Sequence, residues 1–313
     1  MTFRERPRGG YRRAVQFRDL GPLRVESDGV PLRIAGRRLS TLLAVLVAHA
    51  GDAVPVDRLV EATWTGSPPV RAEAALDSLL WRLRRILDPD REARGPGEVL
   101  RTEPGGYRIV AGDREVDSRA FAAGAAGSAS ALRAGDPGAA LEAADRALER
   151  WRGVPFDGIA DAPWVASVRH RMDSVRLDVR ETRIQALLDL GRPEQAASDV
   201  LPLLRDHPFR ERLWAQRMLG LYRAGRQADA LATFADARAL LAAELGVRPG
   251  PELTGVHAAV LAQDPVLQGS GAQAVASGGG LAGPVRLPPR VAGCGAATTI
   301  SRTSTTCWTG SRS

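Results

Sequence analysis

Between residues 70 and 87 the chain carries one stripe of large aliphatic side chains: Leu76, Leu79, Leu80, Leu83, Ile86 and Leu87. Spacings of three and four residues place them on one face of a helix that turns about 100° per residue. The opposite face holds Arg71, Ala74, Ser78, Trp81, Arg82 and Arg85. A helix of this composition must bury its leucines against its own domain and present a row of guanidiniums and a hydroxyl outward. That is the chemistry needed to read base edges in a DNA major groove. A face that is merely solvated has the same composition, so the neighbouring elements must decide between the two readings.

Those neighbours are ordered. Residues 14–34 (AVQFRDLGPLRVESDGVPLRI) read as short strands, punctuated by Gly21-Pro22 and Asp28-Gly29. A first helix follows over 37–51, with Leu39, Leu42, Leu43, Leu46 and Val47 at helical spacing and Gly51 as its stop. A short extended piece, 53–56, leads into a second helix from Asp57, read as its cap, to Trp64. The Thr65-Gly66-Ser67-Pro68-Pro69 loop precedes the striped helix, which Asp88-Pro89 ends. Residues 98–111 (EVLRTEPGGYRIVA) read as a hairpin with Gly105-Gly106 at its turn. Its Arg101, Thr102 and Arg108 are placed to reach phosphate or a minor groove. Strands, three helices and a hairpin make an α+β unit.

From Asp117 onward the pattern is purely helical. Ala-, Leu- and Arg-rich segments lie near 117–134, 137–151, 163–190, 194–206, 208–224, 227–245 and 250–263, with Gly or Pro in the short breaks. Leu187, Gly191, Arg192 and Ala196 recur as Leu221, Gly225, Arg226 and Ala230, each 34 residues later. That is the tetratricopeptide period of two antiparallel helices. Such repeats stack into a curved scaffold suited to binding proteins; a scaffold that only dimerises or supports the first unit would carry the same repeat.

Charge separates the parts. All 43 basic residues are Arg, and the net charge is +7. Residues 1–114 hold 20 Arg against 15 acids, residues 115–268 hold 19 against 21, and residues 269–313 hold 4 against none. A basic first unit beside a nearly neutral second one points to a polyanionic partner for the first. Arg-only usage is what GC-rich codons give, although Arg is also better than Lys at bidentate contact with guanine or phosphate.

Several function classes are set aside. No run of 18 apolar residues exists, and the Arg- and Gly-rich start lacks a signal-peptide core, so the expected location is cytoplasmic with no membrane partner. Cys294 and Cys307 give neither a disulfide framework nor a zinc spacing. His49, His170, His207 and His257 are scattered without a second ligand at metal spacing, and His207 before Pro208 reads as a turn residue. With no Lys there is no phosphate-binding Gly-x-x-x-x-Gly-Lys loop, and no Gly-x-Ser-x-Gly elbow occurs. Asp157 and Asp161 read as turn and capping residues. The expectation is a protein that is no enzyme and takes no cofactor or metal.

The motifs FRDLGPLRV, PVDRLVEATW, ALDSLLWRLRRILDP and TEPGGYRI resemble, in that order, the OmpR-type winged helix, a two-component-like output domain. The resemblance is closer to the form found in the Streptomyces antibiotic regulatory proteins. LERWRGVPFDGIADAPWV (148–165), LLDLGRPEQA (187–196), HPFRERLWAQRMLGLYRAGRQADAL (207–231) and ELGVRPGPEL (244–253) resemble the bacterial transcriptional activator domain that follows it in the same family. Together the resemblances cover residues 14–265.

The resemblance implies a mainly α protein: a flexible extension over 1–13, an OmpR-type winged-helix DNA-binding domain over 14–114, a tetratricopeptide-like activator domain over 115–266, and a disordered linker and tail over 267–313. It implies that the third helix enters the major groove while the hairpin wing meets the backbone. Ser78, Arg82 and Arg85 would contact base or phosphate, Arg84 would flank them, and Arg101 with Thr102 would lie on the wing. Arg71 completes the set. Trp81 departs from the small or polar residue common at its place, and would pack against sugar and bases or against a neighbouring subunit. The implied partners are double-stranded DNA at promoter direct repeats of an antibiotic gene cluster, RNA polymerase, and a second copy of the chain on DNA. No phosphoacceptor receiver domain is expected ahead of the winged helix. A repressor of the same architecture, and an interaction scaffold that has lost DNA binding, are the alternatives.

Residues 269–283 read as a flexible Gly-, Ala- and Ser-rich linker, and the acid-free end, GCGAATTISRTSTTCWTGSRS, as a solvated tail. Longer members of the family continue past a Leu-Pro-Pro stretch into an ATPase domain opening with a Gly-Arg-Asp-like motif. GAATTI read one base over can encode such a motif, Gly-Arg-Asp-Asp-Asp, when GC-rich codons are chosen. The chain is therefore expected to be a truncated or frameshifted long member.

Overall fold

The computed structural model describes residues 14–89, 98–159 and 162–268. The expectations for 1–13 and 269–313, and for Asp161, lie outside the described residues.

Three short strands open the fold: β1 (Val15–Arg18), β2 (Arg24–Ser27) and β3 (Val30–Leu32), an antiparallel meander in the order β1-β2-β3. Val15, Phe17 and Val25 are buried from it, and Asp28 and Gly29, both at positive φ, form the β2–β3 turn. Helix α1 (Arg37–Ala48) is buried along Leu39, Leu42, Leu43, Leu46 and Val47. The strand β4 (Val54–Pro55) leads into α2 (Val56–Trp64), and α3 runs Ala72–Leu87. The wing is the hairpin β5 (Leu100–Glu103) and β6 (Gly106–Ile109). It joins β4 in a second sheet ordered β4-β6-β5.

Two local expectations are corrected. Asp57 is not the cap of α2: Pro55 holds that position with no side-chain bond, and Asp57 lies inside the first turn. There its carboxylate faces the positive end of the helix instead. The wing turn is Pro104-Gly105 and not Gly105-Gly106: Gly105 takes φ +80, while Gly106 pairs with both Glu103 and Pro55. A Cβ on Gly106 would lie 2.2 Å from the Val54 carbonyl oxygen. The second glycine is thus required by close strand approach, which a reading of turn chemistry alone does not anticipate.

The helical part comprises α4 (Asp117–Arg133), α5 (Pro137–Leu148), α6 (Pro163–Asp189), α7 (Pro193–Asp206), α8 (Glu211–Arg223), α9 (Gln227–Leu245) and α10 (Pro251–Leu261). The 34-residue repeat is explained by its helix ends. At the end of α6 the Arg192 N–H donates to the Leu187 carbonyl at 2.9 Å and the Gly191 N–H to Leu188 at 3.2 Å; Arg226 and Gly225 make the same two bonds to Leu221 and Tyr222 at 2.9 Å each. Both glycines are left-handed. This pair of bonds is the Schellman ending, which demands glycine after the last turn. Ala196 and Ala230, one turn into the next helix, are fully buried. A third copy is present at Gly135, where Asp136 donates to Ala131, and Ala140 is buried. It lies 56 residues before Gly191, so a search at one fixed period passes over it.

The two parts share one core. The buried cluster that holds Phe17, Leu43 and Leu83 continues through Phe121, Ala144, Phe156, Val165 and Met172 to Val179 in α6. Main chain crosses the joint: Phe17 N–H donates to Glu115, Arg152 N–H to Leu20 and Phe156 N–H to Asp19, at 2.7, 2.7 and 3.0 Å. Asp117, nearly buried, receives Arg152 at 2.8 Å, Arg150 at 3.4 Å and Arg18 at 3.6 Å. Among the described residues no helix is long and apolar enough to cross a membrane.

Candidate nucleic-acid interface

The surface is built on α3. Leu76, Leu80, Leu83 and Leu87 are each at most 1% exposed, so the whole inner stripe is removed from water, with Leu79 and Ile86 half-buried at its margin. At about 25 cal/mol per Å² of apolar surface, this stripe is what fixes the rotation of the helix about its axis. The opposite face follows from that rotation. Ala74, Ser78, Trp81, Arg82 and Arg85 are all exposed, and Arg71 is exposed at the N-cap.

The side chains on this face are organised. Ser78 Oγ donates back to the Ala74 carbonyl at 3.0 Å. Trp81 is 57% exposed, and the Arg85 guanidinium lies 5.0 Å from its ring centroid. Arg82 Nη2 donates to the Ala35 carbonyl at 3.2 Å. That bond sets Gly36, Arg37 and Arg38, all exposed, beside this end of α3. The Gly-Arg-Arg run at the start of α1 is therefore a basic neighbour of the face. The sequence reading missed it because the pattern of α3 says nothing about which loop lies alongside.

The other expected residues fall elsewhere. Arg84 is half-buried and turns toward the wing, where its Nη2 donates to Thr102 Oγ1 at 2.6 Å and its guanidinium lies 5.3 Å from the Tyr107 ring centroid. Thr102 and Tyr107 are cross-strand partners on the wing face toward α3. Arg101 and Arg108, also cross-strand partners, occupy the other face, with Arg101 exposed and Arg108 paired to Glu103. The eight residues therefore separate into the outward row of α3 (Arg71, Ser78, Trp81, Arg82, Arg85), an α3–wing contact (Arg84, Thr102) and the outer wing face (Arg101).

Similarity to known proteins agrees with a winged helix followed by a helical unit. Residues 116–261 match the family described as bacterial transcriptional activator domain, and residues 34–109 match that described as transcriptional regulatory protein, C terminal. The regulatory protein AfsR of Streptomyces coelicolor is 37% identical over 279 residues, which is 89% of this chain and 27% of AfsR, so the chain spans about a quarter of that relative. The transcriptional regulator RedD of the same organism is 34% identical over 254 residues, 81% of this chain and 72% of RedD. The solved structure of Mycobacterium tuberculosis EmbR in complex with a low-affinity phosphopeptide aligns with a TM-score of 0.76 at 29% identity, covering 85% of this chain and 71% of that one. A winged helix with the outward row of α3 exposed, joined to stacked helical hairpins and matched along most of RedD, places the chain in the Streptomyces antibiotic regulatory protein family of transcriptional activators.

Proposed function

We propose that residues 14–114 bind duplex DNA with α3 in the major groove and the wing on the adjacent backbone. On this reading Arg71, Ser78, Trp81, Arg82 and Arg85 meet the groove, and Arg101 meets phosphate. The helical unit, 115–266, holds a second copy of the chain on a direct repeat and engages RNA polymerase. The regulated genes are a secondary-metabolite cluster, and the protein acts as an activator in the cytoplasm. The observation that carries the reading is the two-sidedness of α3: four leucines, Leu76, Leu80, Leu83 and Leu87, at most 1% exposed behind an exposed row of Arg, Ser and Trp. Such a helix has an anchor on one side and donors on the other, which is what groove reading requires.

The test is a mobility-shift titration of the full chain on DNA from its own cluster across a salt series. Each neutralised phosphate contributes a slope of about −0.9 in log affinity against log salt, so binding should weaken steeply. A chain that gives no salt-sensitive shift on any promoter of the cluster is not a DNA-binding activator. Deleting the gene and following a promoter reporter separates activator from repressor, since only loss of an activator lowers transcription.

A further inference from the structure

Asp77 and Arg84 are seven residues apart on α3, two helical turns, and so lie on one line along the helix. Thr102 and Tyr107 lie directly opposite each other across the wing hairpin. The two pairs meet. Arg84 donates to Thr102 Oγ1 and covers the Tyr107 ring, while the Tyr107 hydroxyl reaches Asp77 Oδ1 at 3.5 Å. We propose that these four residues form a clasp that fixes the wing against α3, and that Arg84 and Thr102 are positioning residues, not phosphate contacts. Resting on the DNA-binding reading above, this adds how the two DNA-facing parts are held at one angle.

Geometry favours a clasp over a pair of loose DNA ligands. Arg84 is half-buried while Trp81, Arg82 and Arg85 beside it are exposed. Its planar fork is used on a hydroxyl and an aromatic face of the same molecule, and turning it to a phosphate would break both contacts. Main chain from Val54 to Val56 holds the wing along β6, while β5 is the edge strand of that sheet and its first residue, Leu100, is tied to Asp88. Arg84 reaches that outer strand at Thr102. A wing that rocks on α3 would have to be ordered on binding, which lowers affinity and loosens the register between groove and backbone contacts.

The experiment uses the full chain and two substitutions, Arg84→Met and Thr102→Val, the second nearly isosteric at an exposed position so that folding is kept. Hydrogen exchange of the wing amides, 100–109, is measured in the free protein, and DNA affinity is measured across a salt series. A clasp predicts faster wing exchange in both variants and about tenfold weaker binding in each. It also predicts a double variant no worse than either single one, and a salt slope that is unchanged. A slope shallower by about 0.9 in Arg84→Met would show that Arg84 neutralises a phosphate, and would overturn the proposal. Wing exchange left at the wild-type rate in both variants would overturn it as well. If the wild-type chain bound no DNA, the function proposed above would fall, while the exchange data would still decide whether the clasp exists.

Discussion

The Asp19 carboxylate caps a helix of the other unit: its Oδ1 accepts the Ser118 main-chain N–H in the first turn of α4 at 2.8 Å, across 99 residues of sequence. Asp19 is fully buried, its Oδ2 has no partner, and burial pushes its pKa up from 3.8 to about 6 against the opposing pull of the Ser118 bonds. The folded state therefore holds this proton more tightly than the unfolded chain does. Its contribution to stability is fully present below about pH 4 and is lost as pH rises through about 6. The shift corresponds to about 3 kcal/mol. Asp19→Asn keeps the acceptor and removes the buried charge. Urea unfolding should find the Asn variant more stable at pH 8 and equal to wild type near pH 3.5. A variant weaker at pH 8 would mean that the charged carboxylate is favoured by the α4 N-terminus.

Arg82 and Arg85 lie on the exposed row of α3, and neither supports the core. Replacing either by Ala should cost about 1–3 kcal/mol of specific DNA affinity with no change in thermal unfolding. Parallel mobility-shift and melting measurements check this. Unaltered affinity in both variants would move the DNA-binding face elsewhere.

Leu83 has no exposed surface and belongs to the core shared by both units. Leu83→Ala should lower stability by about 2–5 kcal/mol. Because the core is continuous, the loss should appear in one cooperative transition rather than in a separate early melting of the winged helix. Calorimetry showing two resolved transitions in the variant would contradict a common core.

Gly106→Ala places a methyl group against the Val54 carbonyl, an approach no real Cβ makes. The β4–β6 pairing should open, and hydrogen exchange at Tyr107 and Val54 should accelerate. Gly105→Ala, at a left-handed turn position with open space around it, should cost only about 1 kcal/mol. Equal effects at the two glycines would contradict the strand assignment of Gly106.

The two faces of α3 were legible in the sequence. The stripe from Leu76 to Leu87 placed α3 within two residues of its observed start, and the same stripe named the outward row. What periodicity could not assign was the partner of each polar residue. Arg84 belongs by sequence to the same basic run as Arg82 and Arg85, yet it lies about 100° or more around the helix from Ser78 and Arg82 and meets the wing instead. Asp77 and Tyr107 drew no attention, because neither carries a pattern of its own.

Local periodicity and turn chemistry determined the elements: which segments are helices, which face of each is apolar, and where Gly191 and Gly225 must end a helix. These depend on residues three to five apart, so any stretch of the chain holds the information by itself. The shared core from Phe17 to Val179, the Asp19 cap on α4, the Asp117–arginine cluster and the Arg84–Thr102 contact were decided only by tertiary structure. Each joins groups tens of residues apart whose meeting depends on how whole elements pack, and no local pattern records that.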